Sequence, residues 1–253
     1  MKLSGSLFVR NAIKYDYCVI ESIQSLLGVC DEVIVLECSS DDDTLKLLRS
    51  IHSPKLRLLS DAQWDCAPDA SRLAQLANLA KSFASHPMHF MLQADEVIHE
   101  KSYNKIRYWC RKEQGHTVSV RRWNFYGDPT RHVRIDIPLS EKPCDDHPTR
   151  LGLSSVDALG DGESIDKIHD VIDEEIVVCH YGFVRDSKRL VERTVATLEW
   201  FHYPPQPDQR FSAMLADGEY RYREIMRDDQ LTTYTGTHPK VIMPWLEERW
   251  PRK

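Results

Sequence analysis

Long apolar runs are missing from this chain. None approaches the roughly 18 residues that a membrane-spanning helix needs, and the opening run, Met1 to Val9, meets Arg10 too early to form the core of a secretory signal. These absences predict a soluble, cytoplasmic protein. Paired cysteines are missing as well: Cys18, Cys30, Cys38, Cys66, Cys110, Cys144 and Cys179 are an odd, scattered set with no C-x-x-C and no metal-finger spacing. That pattern argues against a disulfide framework or a zinc module and predicts reduced, buried thiols. A glycine-rich phosphate loop is also absent, because the first apolar run continues into Arg10-Asn11-Ala12-Ile13-Lys14-Tyr15-Asp16. Net positive charge is lacking too, the formal charge being -6, which argues against a protein built mainly to wrap a nucleic-acid backbone. The charge is nevertheless uneven: from Lys101 to Arg134 there are nine Lys or Arg against two acids, Glu113 and Asp128. Such a block fits either an anionic ligand or a solvated helix face.

What is present is an alternation of strand-like and helix-like segments, the pattern of an α/β protein whose mostly parallel central sheet is flanked by helices. Ser6 to Val9 reads as a strand, and Tyr17 to Leu27 as a helix with Val19, Ile20, Ile23, Leu26 and Leu27 on one face, stopped by Gly28. Glu32 to Glu37 reads as a buried strand, the capping-rich Ser39 to Thr44 as the loop into a helix, and Leu56 to Leu59 as a third strand. Ala70 to Ala84 predicts the clearest helix and Phe90 to Leu92 the next strand. Further on, Tyr103 to Trp109 reads as helix and Thr117 to Phe125 as strand, with a turn at Tyr126 to Pro129. Residues 138–175 read as mostly loop with short elements, Ile176 to Cys179 as a last strand, and Lys188 to about His202 as helix. The Pro-rich break at 204–207 is followed by further helix. The chain thus divides into a core over 1–183 and a helical C-terminal extension over 184–253.

Three loops leave the C-terminal ends of predicted parallel strands: Arg10-Asn11, Glu37 to Thr44, and the acidic turn Gln93-Ala94-Asp95-Glu96. That edge of an open α/β sheet is where ligands bind. Carboxylates there can hold a hard divalent cation, which in turn holds a diphosphate. Taken alone, an Asp-Glu turn is more often simply solvated.

The run LFVRNAIKYDYCVIESIQSLLGVCDEVIVLECSSDDDT resembles the opening of the family 2 glycosyltransferases. The later blocks LQADEVIHE, NFYGD, VDALGDG, HYGFVR and TGTHPKV resemble, in the same order, those of a bacterial and phage subgroup. The resemblance implies a GT-A, Rossmann-like fold that binds a nucleoside-diphosphate sugar and transfers its hexosyl-type sugar with inversion to an acceptor hydroxyl, using Mn²⁺ or Mg²⁺. It places Arg10, Asn11, Glu37, Ser39, Asp42, Gln93, Ala94 and Asp95 around the donor, with Glu37 towards the nucleobase. Asp95 stands at the final acid of the metal-binding D-x-D, with Glu96 beside it, and His180 stands at a further ligand or substrate contact. Two positions depart from the pattern: Gln93 replaces the first acid, and Glu37 stands where Asp is usual.

Transfer to a hydroxyl needs a general base. Asp157, in the D-A-x-G block, is the first candidate, with Asp161 in reserve and Glu163 close by; each also suits a turn or a cap. Arg150 suits a bidentate phosphate contact or a structural salt bridge. Trp123, Phe125 and Tyr126 suit stacking on a sugar or base, or packing in the core. His238, in a matched block, suggests a tail folded back over the site. The implied acceptor is a glycan or lipid-linked precursor, and the basic block leaves room for modified DNA. The alternatives are a nucleotide- or glycan-binding relic of the fold without turnover, for which Gln93 speaks, and another nucleotide-using α/β transferase.

Overall fold

The computed structural model describes residues 1–60, 71–112, 115–138, 145–160, 162–200 and 226–251. Asp161, Cys66, Cys144 and the Pro-rich break at 204–207 lie outside the described residues.

Strands β1 (Leu3–Val9), β2 (Glu32–Glu37), β3 (Leu56–Leu59) and β4 (Met88–Met91) pair in parallel in the order β3-β2-β1-β4. This is the α/β architecture, with a mostly parallel central sheet, that the alternation predicts. The order reverses between β1 and β4, and at such a reversal the loops at the C-terminal ends of the strands diverge and leave a crevice. Helix α1 (Val19–Val29) covers one face with Val19, Ile23, Leu26 and Val29. Helix α3 (Ser71–Ser82) covers the other with Ala74, Leu76, Ala77 and Ala80. Both faces being covered explains why every residue of β2 is buried. Each large aliphatic side chain so enclosed contributes on the order of 1.5–3 kcal/mol.

Short α2 (Thr44–Arg49) joins β2 to β3. Strand β5 (Glu96–Ile98) and helix α4 (Tyr103–Arg111) follow β4. The sheet then grows antiparallel: β8 (Thr149–Leu153) lies between β4 and β6 (Val118–Tyr126), and β7 (Asp128–Val133) pairs with β6. The two-stranded ribbon of β9 (Ala158–Leu159) and β10 (Ser164–Ile165) follows. Strand β11 (Val171–Phe183) is thirteen residues long and runs parallel to β6 and antiparallel to β5. After α5 (Ser187–Trp200), β12 (Leu231–Thr233) adds to β7, and α6 (Met243–Arg249) packs Trp245 and Leu246 against Val97, Phe125, Cys179 and Tyr181. The C-terminal segment is therefore partly strand, and it shares a hydrophobic cluster with the sheet.

Gly28 does not stop α1, which runs on to Val29; a Cβ at Gly28 would overlap the Tyr103 ring, so the glycine lets α1 and α4 approach. The loop expected over 138–175 contains β8, which fills the gap between β4 and β6. Cys18, Cys30, Cys38, Cys110 and Cys179 are free and buried. Burial pushes their thiols up, that of Cys110 to about 11 and that of Cys38 to about 12, so none of these supplies a thiolate at neutral pH. Among the described residues no helix is long and apolar enough to cross a membrane.

Candidate donor-binding and catalytic site

The site is assembled at the C-terminal edge of β1, β2 and β4. The loops leaving β1 and β2 grip each other: Ser40 Oγ accepts from the Asn11 amide at 2.9 Å, Asn11 Oδ1 accepts from the Asp41 amide at 2.9 Å, and Arg10 Nε donates to the Ser39 carbonyl at 3.3 Å. Glu37 is buried at the end of β2 and accepts from the Ser40 amide at 2.7 Å. Asp42 accepts from the Lys14 amide at 2.8 Å and from the Thr44 amide at 2.9 Å, so it braces the two loops as well as opening α2. Asn11, Asp16 and Ser39 all have left-handed backbone, with φ of 55°, 53° and 50°. Strained backbone concentrated in two touching loops at a sheet edge is the pattern of a binding site.

The third loop is the acidic turn. Ser22 Oγ of α1 donates to the Gln93 carbonyl at 2.9 Å, and Ala94 packs against the main core. Asp95 is 6% exposed. Its Oδ2 lies 3.7 Å from His180 Nε2 and 3.5 Å from Arg185 Nη2. Burial pushes the Asp95 carboxyl up, but His180, Arg193 and Arg185 outweigh it and hold the group well below the usual carboxylate range.

His180 is itself oriented from behind. Asn124 Nδ2 donates to Asp146 Oδ1 at 3.1 Å, so its Oδ1 is the acceptor for His180 Nδ1–H at 3.0 Å. That leaves Nε2 as the nitrogen turned to Asp95. Fixing one ring nitrogen to present the other is how proteins prepare a histidine ligand. Gly182 keeps the space clear, because a Cβ there would overlap His180 Nε2 and stand 3.0 Å from Asp95 Oδ2. Among the described residues no group of three or more His, Cys, Asp or Glu side chains is arranged to hold a metal ion. A cation at this pair would therefore complete its shell with the donor's own phosphates and water, as Mg²⁺ commonly does.

Several expected residues belong elsewhere. Glu96 is fully buried, with Arg150 Nη2 at 2.6 Å and Arg122 Nη1 at 3.2 Å from its Oε1, and its Oε2 accepts from the Gln93 backbone amide at 3.1 Å. Arg150 is equally buried, and its two terminal nitrogens donate to Glu96 and to the Glu163 carbonyl. Asp157 is exposed and paired with Lys81 near the C-terminal end of α3. The neighbouring Ser154 bonds to the carbonyls of His86 and Pro87, which lead into β4. Asp157 is thus engaged by Lys81 on the side of the sheet where β4 begins, whereas Asp95 follows the end of β4.

Trp123 lies on the other face of β6 from Asn124, its ring 4.6 Å from that of His132 and 5.8 Å from that of Tyr234. Phe125 stacks on Tyr181 at 5.1 Å, and Tyr126 packs with Phe183. His238 pins the tail: Nε2–H donates to the Pro129 carbonyl at 3.0 Å, and Nδ1 accepts from Tyr181 at 2.8 Å. It lies in the aromatic cluster and not at Asp95. Six of the nine basic residues of the block meet acids: Lys105 meets Asp173 and Glu175, Arg107 meets Asp31, Arg121 meets Glu174, Arg122 meets Glu96, Arg131 meets Asp228 and Arg134 meets Asp136. It is not a free cationic face.

Sequence reasoning did not single out Asn124, Gly182 or Arg185. All three fall in the NFYGD and HYGFVR blocks, and that was the available signal.

No protein-family model matches the chain, and no curated protein matches it. Among solved structures it is similar to residues 1–349 of S. aureus TarS in complex with UDP, at 13% identity and a TM-score of 0.49, over 86% of this chain and 70% of that one. It is likewise similar to the same protein in complex with UDP-GlcNAc, at 14% identity and a TM-score of 0.48, over 86% of this chain and 71% of that one.

Proposed function

We propose that this chain is a glycosyltransferase that moves a sugar from a nucleoside-diphosphate sugar to an acceptor hydroxyl, with inversion. The observation that carries this reading is the His180–Asp95 pair, 3.7 Å apart, with His180 fixed by Asn124 and the space kept open by Gly182. The pair stands at the strand-order reversal, beside two interlocked loops with strained backbone. The family resemblance of the sequence points to the same donor class.

A divalent cation, Mn²⁺ or Mg²⁺, would be held by Asp95 and His180 and would supply positive charge to stabilise a leaving diphosphate. A nitrogen ligand tilts the preference towards Mn²⁺. Asn11, Ser39 and Glu37 border the donor's nucleoside side. The proton of the incoming hydroxyl goes to Glu163, whose carboxylate is 34% exposed beside Gln93. Burial pushes Glu163 up, but Arg122 and Arg150 bring it down to about 2, so it is ionised and ready to accept, though a weak base.

The second reading, nucleotide or glycan binding without turnover, is favoured by Gln93 and by the cationic Arg185 at Asp95. Thermal stabilisation by UDP, GDP or dTDP, with and without Mn²⁺, tests the first reading. A shift that requires Mn²⁺, together with release of nucleotide from a sugar donor, supports the enzyme. A shift without release leaves the binding protein, and no shift with any of the three removes the first reading and favours the relic.

A further inference from the structure

Arg185 has no role in the scheme above, yet it joins the two halves of the site. It is 2% exposed. One arm, Nη1, donates to the Tyr15 carbonyl in the loop after β1; the other, Nη2, lies 3.5 Å from Asp95 Oδ2; and the guanidinium covers the Tyr17 ring at 4.9 Å.

The contacts differ in kind. Tight guanidinium–carboxylate bonds are about 2.7–2.9 Å long, as between Arg107 and Asp31 at 2.7 Å. Arg185 and His180 instead share one oxygen of Asp95 at 3.5 and 3.7 Å. Asp95 is therefore held at long range by Arg185 and His180, with Arg193 adding to the positive field around it, and of these three only His180 suits a metal. A divalent cation on the same oxygen would face the guanidinium at close range, and in a buried site like charges repel strongly.

We propose that Arg185 is an exchangeable counter-ion: it neutralises Asp95 when no cation is there, and gives that oxygen up to a divalent cation while its Nη2 turns to the donor's diphosphate. The Tyr15 carbonyl and the Tyr17 ring are the pivot, since they hold the rest of the guanidinium in place. A planar fork suits a phosphate better than an ammonium would. Cation and nucleotide then bind together because each removes the partner that the other needs removed. This rests on the reading of the site as one for a nucleoside diphosphate, and it makes Arg185 a positioning residue for the cation as well as a contact of the donor.

The test is calorimetric titration of wild type, Arg185→Gln and Arg185→Lys with Mn²⁺ alone, and with UDP at saturating Mn²⁺. Arg185→Gln is expected to bind Mn²⁺ alone about tenfold more tightly and UDP about tenfold more weakly, two changes of opposite sign that a loss of folding cannot mimic. A Mn²⁺ affinity equal to or below wild type in Arg185→Gln overturns the proposal. If that variant does not fold, Arg185→Lys decides it through the nucleotide: its ammonium can still neutralise Asp95 but offers no planar fork, so UDP affinity at saturating Mn²⁺ equal to wild type overturns the proposal there. Wild type that binds Mn²⁺ but no nucleoside diphosphate would sink the reading of the function instead, leaving the Mn²⁺ comparison intact.

Discussion

Gln93 donates its side-chain amide to Glu163 Oε1 at 3.2 Å, across seventy residues of chain. The position where the D-x-D pattern has its first acid carries an amide, and that amide holds a carboxylate supplied by the ribbon after β8. An Asp at 93 would set two carboxylates side by side at the mouth of the sheet. The glutamine avoids that repulsion and keeps Glu163 within the site.

Glu163 as the proposed general base has consequences for variants. Glu163→Gln is expected to lower transfer by on the order of 10²-fold, the lower end for general bases because the group is weakly basic. It should leave UDP binding within about twofold of wild type. Asp157→Asn, on the Lys81 side, should leave transfer unchanged. Rates and nucleotide affinities of both variants check this, and a transfer defect in Asp157→Asn alone would restore the assignment made from sequence.

Asp95→Asn keeps the shape and removes the charge. It should abolish the part of the UDP stabilisation that depends on Mn²⁺ and cut donor hydrolysis by at least on the order of 10²-fold. Chelation by EDTA should do the same to wild type. Asp95→Ala is a poorer probe, because stripping the partner from buried Arg185 is expected to cost about 3–5 kcal/mol of stability. Thermal shift with and without metal separates the two effects.

Gly182→Ala places a methyl group against His180 Nε2. Overpacking of this kind costs about 1–3 kcal/mol. Because the collision falls on the ligand pair, Mn²⁺ affinity should fall roughly tenfold or more. Metal affinity unchanged within error would mean that no cation sits there.

Glu96→Gln removes the central charge between Arg122 and Arg150, both fully buried. A loss of about 3–5 kcal/mol in denaturant unfolding is expected. Nucleotide affinity at temperatures where the variant stays folded should not change. A stable Glu96→Gln that has lost UDP binding would return Glu96 to the donor site.

His89, in β4, is buried and bonded through Nε2 to Ser6 Oγ at 2.8 Å. Burial pushes its pKa down from 6.5 to about 3. The unfolded chain therefore binds a proton that the folded one refuses. The associated stability is fully present above about pH 6.5 and declines as pH falls towards 3, by about 1.4 kcal/mol per pH unit at most. Glu163, lowered to about 2, adds a loss that begins only below about pH 4.5. Unfolding free energy measured between pH 7 and 5 should thus fall in wild type and stay flatter in His89→Gln.

How much of this was readable in advance can be traced residue by residue. Strands Glu32–Glu37 and Leu56–Leu59 fall where the apolar runs put them; Glu32–Glu37 is buried throughout because a strand covered on both faces needs apolar residues, while Leu56–Leu59 is the partly exposed edge strand. β8, Thr-Arg-Leu-Gly-Leu, was hidden, since Arg150 and Gly152 make sense in a strand only once Glu96 and a closely packed neighbour are known. Asp95 and His180, singled out by motif order, stand 3.7 Å apart, whereas Glu96 and Arg150, also named as candidates, pair with each other.

The sequence by itself determined the α/β alternation, the three loops at one sheet edge and the pairing of Asp95 with His180 as candidates. Those are encoded in local periodicity and block order, which do not depend on long-range geometry. Only the tertiary structure decided which charges face a ligand and which face each other. Charge cancellation is a property of distance in space: Asp157 went to Lys81, Glu96 to two arginines, and Arg185 to Asp95 because the chain brought them within a few ångströms.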